Sequence, residues 1–374
     1  MSEQVLVTGG AGFVGSHLVD ALLAAGHRVR VLDSLEPQVH EGDHGAPDYL
    51  NPAAELVRGS VLDVDAVRRA LEGIDVVFHQ AALVGVGQSM YDIARYCQVN
   101  TGGAGVLLQE IVTRRERIRK VIVASSMSIY GEGAYRTAGG DLRYPRLRTH
   151  EQLERGDWEF RDSETGEILG PVPTPESKPL APTSVYAITK RDHEELFLTV
   201  GYAYRIPTVA LRYFNIYGER QALSNPYTGI AAIFGARVLN RQPPVIFEDG
   251  VQSRDFVHVS DIVQANLLAL ETDRADYQAL NVGTGHPTTV RQVADAITSS
   301  LGRSDLQPSI LGRFREGDIR HCYADITLAR TLLGYEPRVA FRDGVRQLVE
   351  WVGSQRAVDR FEQAHQQLVK RGLA

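Results

Sequence analysis

Short runs of β-branched and aliphatic residues alternate with longer segments of helical period through the first half of the chain. Residues 4–8 read as a strand. Residues 13–25 read as a helix, with apolar positions at Val14, Leu18, Ala21, Leu22 and Ala25 and Gly26 as the stop. Residues 28–33, 76–79, 120–125 and 208–213 read as further strands, and 91–115 as a helix between two of them. Strands alternating with helices predict an α/β chain built on a doubly wound parallel sheet with right-handed crossovers.

Two regions break this rhythm. From Glu132 to Val185 the chain is rich in proline, glycine and charge, with a basic stretch (Arg136, Arg143, Arg146, Arg148) ahead of an acidic one (Glu151 to Glu167). A connection this long is expected to be functional or partly disordered. Its cations are expected to be solvated or to pair with its own acids, and Trp158 and Phe160 to form a local core. From near Tyr217 the alternation weakens and prolines become frequent. The expected division is a first domain over 1–215, with a charged insertion at about 132–182 and a return segment near 252–272. A smaller lobe, mainly 216–374, would bind the ligand.

Composition adds exclusions. The 374 residues are 43% hydrophobic and 23% charged with net charge −6, without the basic excess of a nucleic-acid or membrane-surface protein. No apolar run approaches the ~20 residues that span a bilayer. The start of the chain enters a strand pattern without a basic and apolar leader, so a cytoplasmic protein is expected. Cys97 and Cys322 form no CxxC pair and read as buried free thiols. His79 and His258 read as packed core histidines, and no metal is expected.

Chemistry concentrates at three places. Thr8-Gly9-Gly10-Ala11-Gly12-Phe13-Val14-Gly15 follows the first strand and opens the first helix. Gly9 would allow the tight turn, Gly12 the approach of a pyrophosphate, and Gly15 close packing of helix on sheet, with phosphates on the helix N-terminus. Asp33, ending the second strand, would accept the hydroxyls of an adenosine ribose and repel a 2′-phosphate, pointing to NAD over NADP. Tyr186 and Lys190, four apart at a helix start, share one face. A tyrosine base at neutral pH needs its pKa lowered by roughly 3 units, which Lys190 and a cationic nicotinamide ring would supply. Ser125 and Ser126 lie at a strand's carboxyl end, where doubly wound sheets bind ligands.

In order along the chain, TGGAGFVGSH, FHQAA, Asn100, SSMSIYGE, YAITK, RYFNIYG, RDFVHVSD and the Arg315–Asp318 segment resemble the extended short-chain dehydrogenase/reductase family. The resemblance is narrowest to its nucleotide-sugar epimerases and dehydratases. RQALSNPYTG, PPVIFEDG and the connection ending PVPTPE are most similar to the dTDP-L-rhamnose 4-epimerases. The resemblance implies a Rossmann-type sheet, NAD as cofactor, and Ser126, Tyr186 and Lys190 as catalytic residues. It implies cofactor contacts at Gly9, Gly12, Phe13, Val14, Gly15, Asp33, Ser34, Ser60, Val61, Ala81, Ala82, Asn100, Tyr186, Lys190 and Tyr213. It places a nucleotide-diphosphate sugar against Val84, Ser126, Ser128, Asn215, Ile246, Arg254, Arg315 and Asp318. A homodimer is also implied, through the helix 91–115 and the helix starting near Tyr186. Two departures stand out: Ser60 replaces an aspartate that relatives place against adenine, and the insertion lacks the cysteine pair that relatives often carry.

Within that group the reaction depends on further acid/base groups. Related dehydratases carry Asp-Glu directly after the catalytic hydroxyl residue, decarboxylases usually a Glu, and 3,5-epimerases a Cys; here Met127 and Ser128 stand there. A 4-epimerase needs no second acid/base pair, so hydride loss and return at C4 is the expected reaction. A dTDP-6-deoxyhexose such as dTDP-L-rhamnose is the favoured substrate and a UDP-hexose the other option. The alternatives are a dehydratase or decarboxylase, a 4-ketoreductase, and a non-catalytic NAD-binding regulator.

Overall fold

In the computed structural model, which describes residues 2–40, 45–355 and 357–373, seven strands form the central sheet. Their order is Ala279–Val282, Thr208–Tyr213, Lys120–Ser126, Val76–His79, Gln4–Thr8, Arg28–Asp33 and Glu55–Arg58. Every pairing in it is parallel. Val76–His79 and Lys120–Ser126 are buried along their whole length, which explains their unbroken apolar runs. The chain winds outward in one direction from Gln4–Thr8 and in the other from Val76–His79. That reversal opens a crevice at the strands' carboxyl ends, between these two neighbours.

Helices cover both faces. Phe13–Ala24 and Val259–Glu271 lie against one, around Leu18, Leu22, Ile262 and Ala265. Val64–Leu71, Gly103–Val112 and Val185–Tyr204 lie against the other, around Val67, Leu107 and Phe197. The last of these starts at Ser184, whose hydroxyl accepts the Ala187 N–H, and stops at Arg205 in the left-handed conformation. The expected helix over 91–115 is instead three pieces: Ile93–Tyr96, a π-helical Cys97–Gly102, and Gly103–Val112. The wide turn falls where Gly103 is pressed onto Val61, so closely that a Cβ there would sit 2.5 Å from the valine side chain.

The return to the sheet is longer than the sequence predicted. Ser253–His258 joins a small sheet with Asn215–Tyr217, Pro287–Thr289 and His321–Cys322. The helix Val259–Glu271 then carries the chain back, and Ala279–Val282 becomes the edge strand. The second lobe packs the helices Ile230–Leu239, Val290–Ser300 and Phe341–Gly353 around Phe234, Val293 and Leu348.

The insertion is ordered. Leu142–Arg143, Ala134–Arg136 and Gly170–Val172 form a small antiparallel sheet around Tyr135, Phe160 and Leu169. Arg143 pairs with Asp162 at 3.0 Å, as the charge pattern predicted, but Arg148 does not remain in solvent: it is buried against Glu248 of the second lobe. Cys322 is buried as expected, whereas Cys97 is exposed. No described helix is long and apolar enough to cross a membrane.

Candidate active site

One cleft of about 670 Å³ runs from the glycine-rich turn across the sheet's carboxyl end into the second lobe. At its first end Gly9 has φ +70°, and a Cβ there would lie 2.7 Å from the Ala81 backbone nitrogen. A Cβ on Gly15 would lie 2.1 Å from the Gly9 carbonyl oxygen. Gly12 caps the helix Phe13–Ala24 with no side chain, so its first N–H groups face the cleft uncapped. The turn, the bare helix terminus and the space kept clear of Cβ atoms fit a pyrophosphate.

Asp33 is buried beside that turn. Its Oδ2 accepts the Ala11 N–H at 3.0 Å and its Oδ1 the Leu35 N–H at 2.8 Å. Each oxygen keeps a second lone pair for a ribose hydroxyl. Phe13, Val14, Ser34, Ser60, Val61, Ala81 and Ala82 border the same end. Asn100 does not. It is fully buried behind the wall, where Oδ1 accepts the Leu83 N–H at 2.8 Å and Nδ2 donates to Thr189 Oγ1 at 3.0 Å. It braces the loop that forms the wall and makes no part of the cleft surface, which corrects its expected place among the cofactor contacts.

Ser126, Tyr186 and Lys190 meet at the middle of the cleft. Ser126 ends its strand, and its Oγ accepts both the Ser128 N–H at 3.2 Å and the Ser128 O–H at 2.9 Å. Its own proton is thereby left to donate into the cleft. Tyr186 sits in the first turn of the helix Val185–Tyr204, with its N–H held by Ser89 Oγ at 3.0 Å. Lys190, one turn on, donates to the Ala124 carbonyl and lies 3.2 Å from His193 Nδ1. Burial pushes the Lys190 ammonium down to about 7, opposed by Glu194. Burial also pushes the Tyr186 phenol up, opposed by the Ser126 hydroxyl. The expected lowering of Tyr186 is therefore not supplied by the polypeptide alone, because desolvation outweighs it.

Tyr213 borders the middle of the cleft, with its hydroxyl fixed by Gln80 and Asn266. Val84, Ser128, Asn215, Ile246, Arg254, Arg315 and Asp318 all line the cleft. Arg254 spends three N–H groups on the carbonyls of Ser253, Ile319 and Arg320, leaving two. Arg315 pairs with Asp318 at 2.7 Å and lies over the Phe247 ring at 4.6 Å.

Some lining residues escaped the sequence reading. Gln38 donates to Gln88 and Asn225, at 2.9 and 3.0 Å, joining two short helices, Pro37–His40 and Val86–Ser89, to the turn at Asn225. Asn225 lies within RQALSNPYTG, a segment singled out by resemblance without an assigned place in the site. The C-terminal helix Phe361–Val369 also lines the cleft, through Phe361, Ala364, His365 and Leu368. Their helical spacing was available as a one-faced pattern.

The sequence profile of the NAD dependent epimerase/dehydratase family matches residues 5–152, and that of GDP-mannose 4,6 dehydratase matches residues 161–348. A dTDP-L-rhamnose 4-epimerase of Burkholderia thailandensis is 33% identical over 94% of this chain and 96% of its own. Crystallised UDP-glucose 4-epimerase of Thermotoga maritima, solved with UDP-glucose, superposes with a TM-score of 0.75 at 32% identity, covering 93% of this chain and 98% of its own. The UDP-glucose 4-epimerase of Thermus thermophilus, in complex with NAD, gives a TM-score of 0.73 at 30% identity over 94% of this chain and 100% of its own. With the uncapped glycine cradle, Asp33 and the Ser126–Tyr186–Lys190 cluster already in place, this chain belongs to the NAD-dependent epimerase/dehydratase family of short-chain dehydrogenases/reductases.

Proposed function

We propose that the protein is an isomerase, a nucleotide-sugar 4-epimerase, with a dTDP-6-deoxyhexose such as dTDP-L-rhamnose as favoured substrate. The observation that carries this is the chemistry beside Ser126. Met127 is 8% exposed and Ser128 is committed to Ser126, so neither supplies an acid or base. The carboxylates that line the cleft are engaged by other groups: Asp33 by the Ala11 and Leu35 N–H groups, Glu36 by Arg95, Glu248 by Arg148 and Arg320, and Asp318 by Arg315. Expelling water or carbon dioxide from the sugar calls for a further acid/base group at the centre. Exchanging a hydride at one carbon does not.

NAD would be held by the Gly9–Gly15 turn and Asp33 and would supply the hydride acceptor and donor for C4 of the sugar. Tyr186 accepts the O4 proton as the hydride leaves and returns it afterwards. Its place in the first helical turn favours the phenolate. Ser126 donates its free proton to the same oxygen in both poses of the sugar. Lys190 holds its position beside the strand end through Ala124 and His193. Arg254 and Arg315 anchor the diphosphate, about which the 4-keto sugar turns over. The likeness to the Burkholderia dTDP-L-rhamnose 4-epimerase favours that sugar over a UDP-hexose.

The match of residues 161–348 to GDP-mannose 4,6 dehydratase favours a second reading, a dehydratase. One experiment separates them: purified protein without added cofactor is incubated with dTDP- and UDP-sugars, and C4 configuration is followed by NMR. Inversion at C4 is expected; loss of water or carbon dioxide without inversion refutes the epimerase. We also place a homodimer interface on the helical segments 93–112 and 185–204, where Ile93 and Ile188 are exposed. Sedimentation at a dimer mass supports it, and a monomer mass refutes it.

A further inference from the structure

His193 follows Lys190 by three positions on the helix Val185–Tyr204, so the two side chains share one face. Its ring is fully buried, packed on His79 with 5.0 Å between centroids. Two contacts decide which ring nitrogen carries the proton. Nε2 lies 3.1 Å from the Asn100 carbonyl oxygen, which can only accept, so Nε2 donates. Nδ1 lies 3.2 Å from Lys190 Nζ, and an ammonium can only donate, so Nδ1 accepts. One form of the ring meets both demands, the neutral tautomer with its proton on Nε2.

The surroundings keep that form. Burial, and after it the Lys190 charge, hold His193 well below its usual range, and burial holds His79 down to about 3. The carboxylate beside it on the same helix, Glu194, is turned away, to Ser125 at 2.7 Å and Arg212 at 2.6 Å. Lys190 has three N–H groups. One goes to the Ala124 carbonyl and one to His193 Nδ1, leaving the third for the cleft that Lys190 lines. Without the imidazole a second N–H of a buried ammonium would lose its acceptor, which favours the neutral amine.

We propose that His193 is a positioning residue for the hydride step: its Nδ1, fixed as an acceptor by the Asn100 carbonyl behind it, holds the Lys190 ammonium and turns the remaining N–H toward the cleft. This rests on the nucleotide-sugar reading above, in which Tyr186 is the base. His193 acts only through Lys190 and touches neither sugar nor cofactor.

The test uses the protein with its NAD, labelled with ¹³C at the lysine Cε. Lys120, Lys178, Lys190 and Lys370 are its lysines, and the Lys190 signal is the one missing from Lys190→Met. Wild type, His193→Phe and His193→Asn are titrated by NMR from pH 5.5 to 10. Phenylalanine keeps a ring and removes the acceptor; asparagine offers Oδ1 near the place of Nδ1. The Lys190 midpoint is expected to fall by about one pH unit in His193→Phe, the scale of one hydrogen bond to an ammonium. In His193→Asn it should recover most of that. With dTDP-L-rhamnose, kcat of His193→Phe should fall about tenfold at neutral pH. The alkaline limb of its pH profile should move down with the Lys190 midpoint, while KM and NAD content stay within twofold. An unmoved Lys190 midpoint in His193→Phe overturns the proposal, even where kcat falls. So does a wild-type ¹⁵N spectrum that places the His193 proton on Nδ1, a measurement that needs no variant to fold. A midpoint that moves as expected in a protein that inverts neither dTDP- nor UDP-sugars supports the hold on Lys190 and overturns the nucleotide-sugar reading instead.

Discussion

The Arg148 guanidinium, carried by the insertion, grips the Glu248 carboxylate of the second lobe in a two-pronged pair, Nη1 to Oε2 at 3.0 Å and Nη2 to Oε1 at 2.7 Å. The same Nη2 donates to the Asp318 carbonyl at 3.1 Å, and Glu248 also holds Arg320 at 3.0 Å. The insertion thus buttresses the segment that carries Arg315 and Asp318. Breaking a buried pair by removing one partner strands the other charge, a loss of roughly 3–5 kcal/mol. Arg148→Met is expected to lose about 3 kcal/mol, because Arg320 still partners Glu248. Urea unfolding measures this. Its KM for the nucleotide sugar should rise more than its kcat falls, and unchanged stability would show that the pair is not a fastening.

Tyr186→Phe keeps the ring and removes the phenol. Bound NAD and the unfolding midpoint are expected to be unchanged, and kcat to fall by roughly 10²–10⁴. Steady-state rates alongside the absorbance of the bound cofactor check both halves. Full activity would remove Tyr186 from its role as base.

Stability should climb with pH between about 7 and 10. Burial holds Lys190 down to about 7 from its usual 10.5, so in this window the unfolded chain binds more protons than the folded one. The cost of burying the ammonium is present in full below 7 and vanishes as pH rises toward 10.5. Above that range the trend reverses, because buried tyrosines such as Tyr213, pushed up to about 12, keep their protons longer folded than unfolded. Urea midpoints of wild type and Lys190→Met across pH 6.5–10 test this. The slope should flatten in the variant, and parallel slopes would reject the assignment.

Gly15→Ala places a methyl 2.1 Å from the Gly9 carbonyl oxygen and 2.7 Å from Gly10 Cα, both backbone atoms that cannot swing aside. The helix must move off the turn. A destabilisation of roughly 1–3 kcal/mol is expected, with loss of NAD on purification. Thermal melting and cofactor stoichiometry measure the two effects, and a variant that retains NAD in full would show that the turn tolerates the shift.

The sequence by itself determined five of the seven strands of the central sheet, the glycine-rich turn after the first of them, and the shared helix face of Tyr186 and Lys190. These are local patterns: buried parallel strands read as continuous apolar runs, the glycine spacing sits within one turn, and Tyr186 and Lys190 share a helix face by periodicity alone. The likeness to a family then joined residues far apart in the chain. Tertiary structure decided what depends on contacts between distant segments. Asn100 reads as a cofactor contact in sequence but lies behind the wall, because a π-helical turn points it at Leu83 and Thr189. Arg148 belongs to a basic stretch that looks solvated, yet it is buried where Glu248 meets it from a hundred residues away. Lys190 and a cationic nicotinamide ring read as the groups that would lower Tyr186; the fold adds burial, which pushes the phenol up and the Lys190 ammonium down. The helix bearing His365 carries an amphipathic pattern that says it packs against something. Only the fold shows that its face closes the cleft, because burial depends on which surfaces the whole chain brings together.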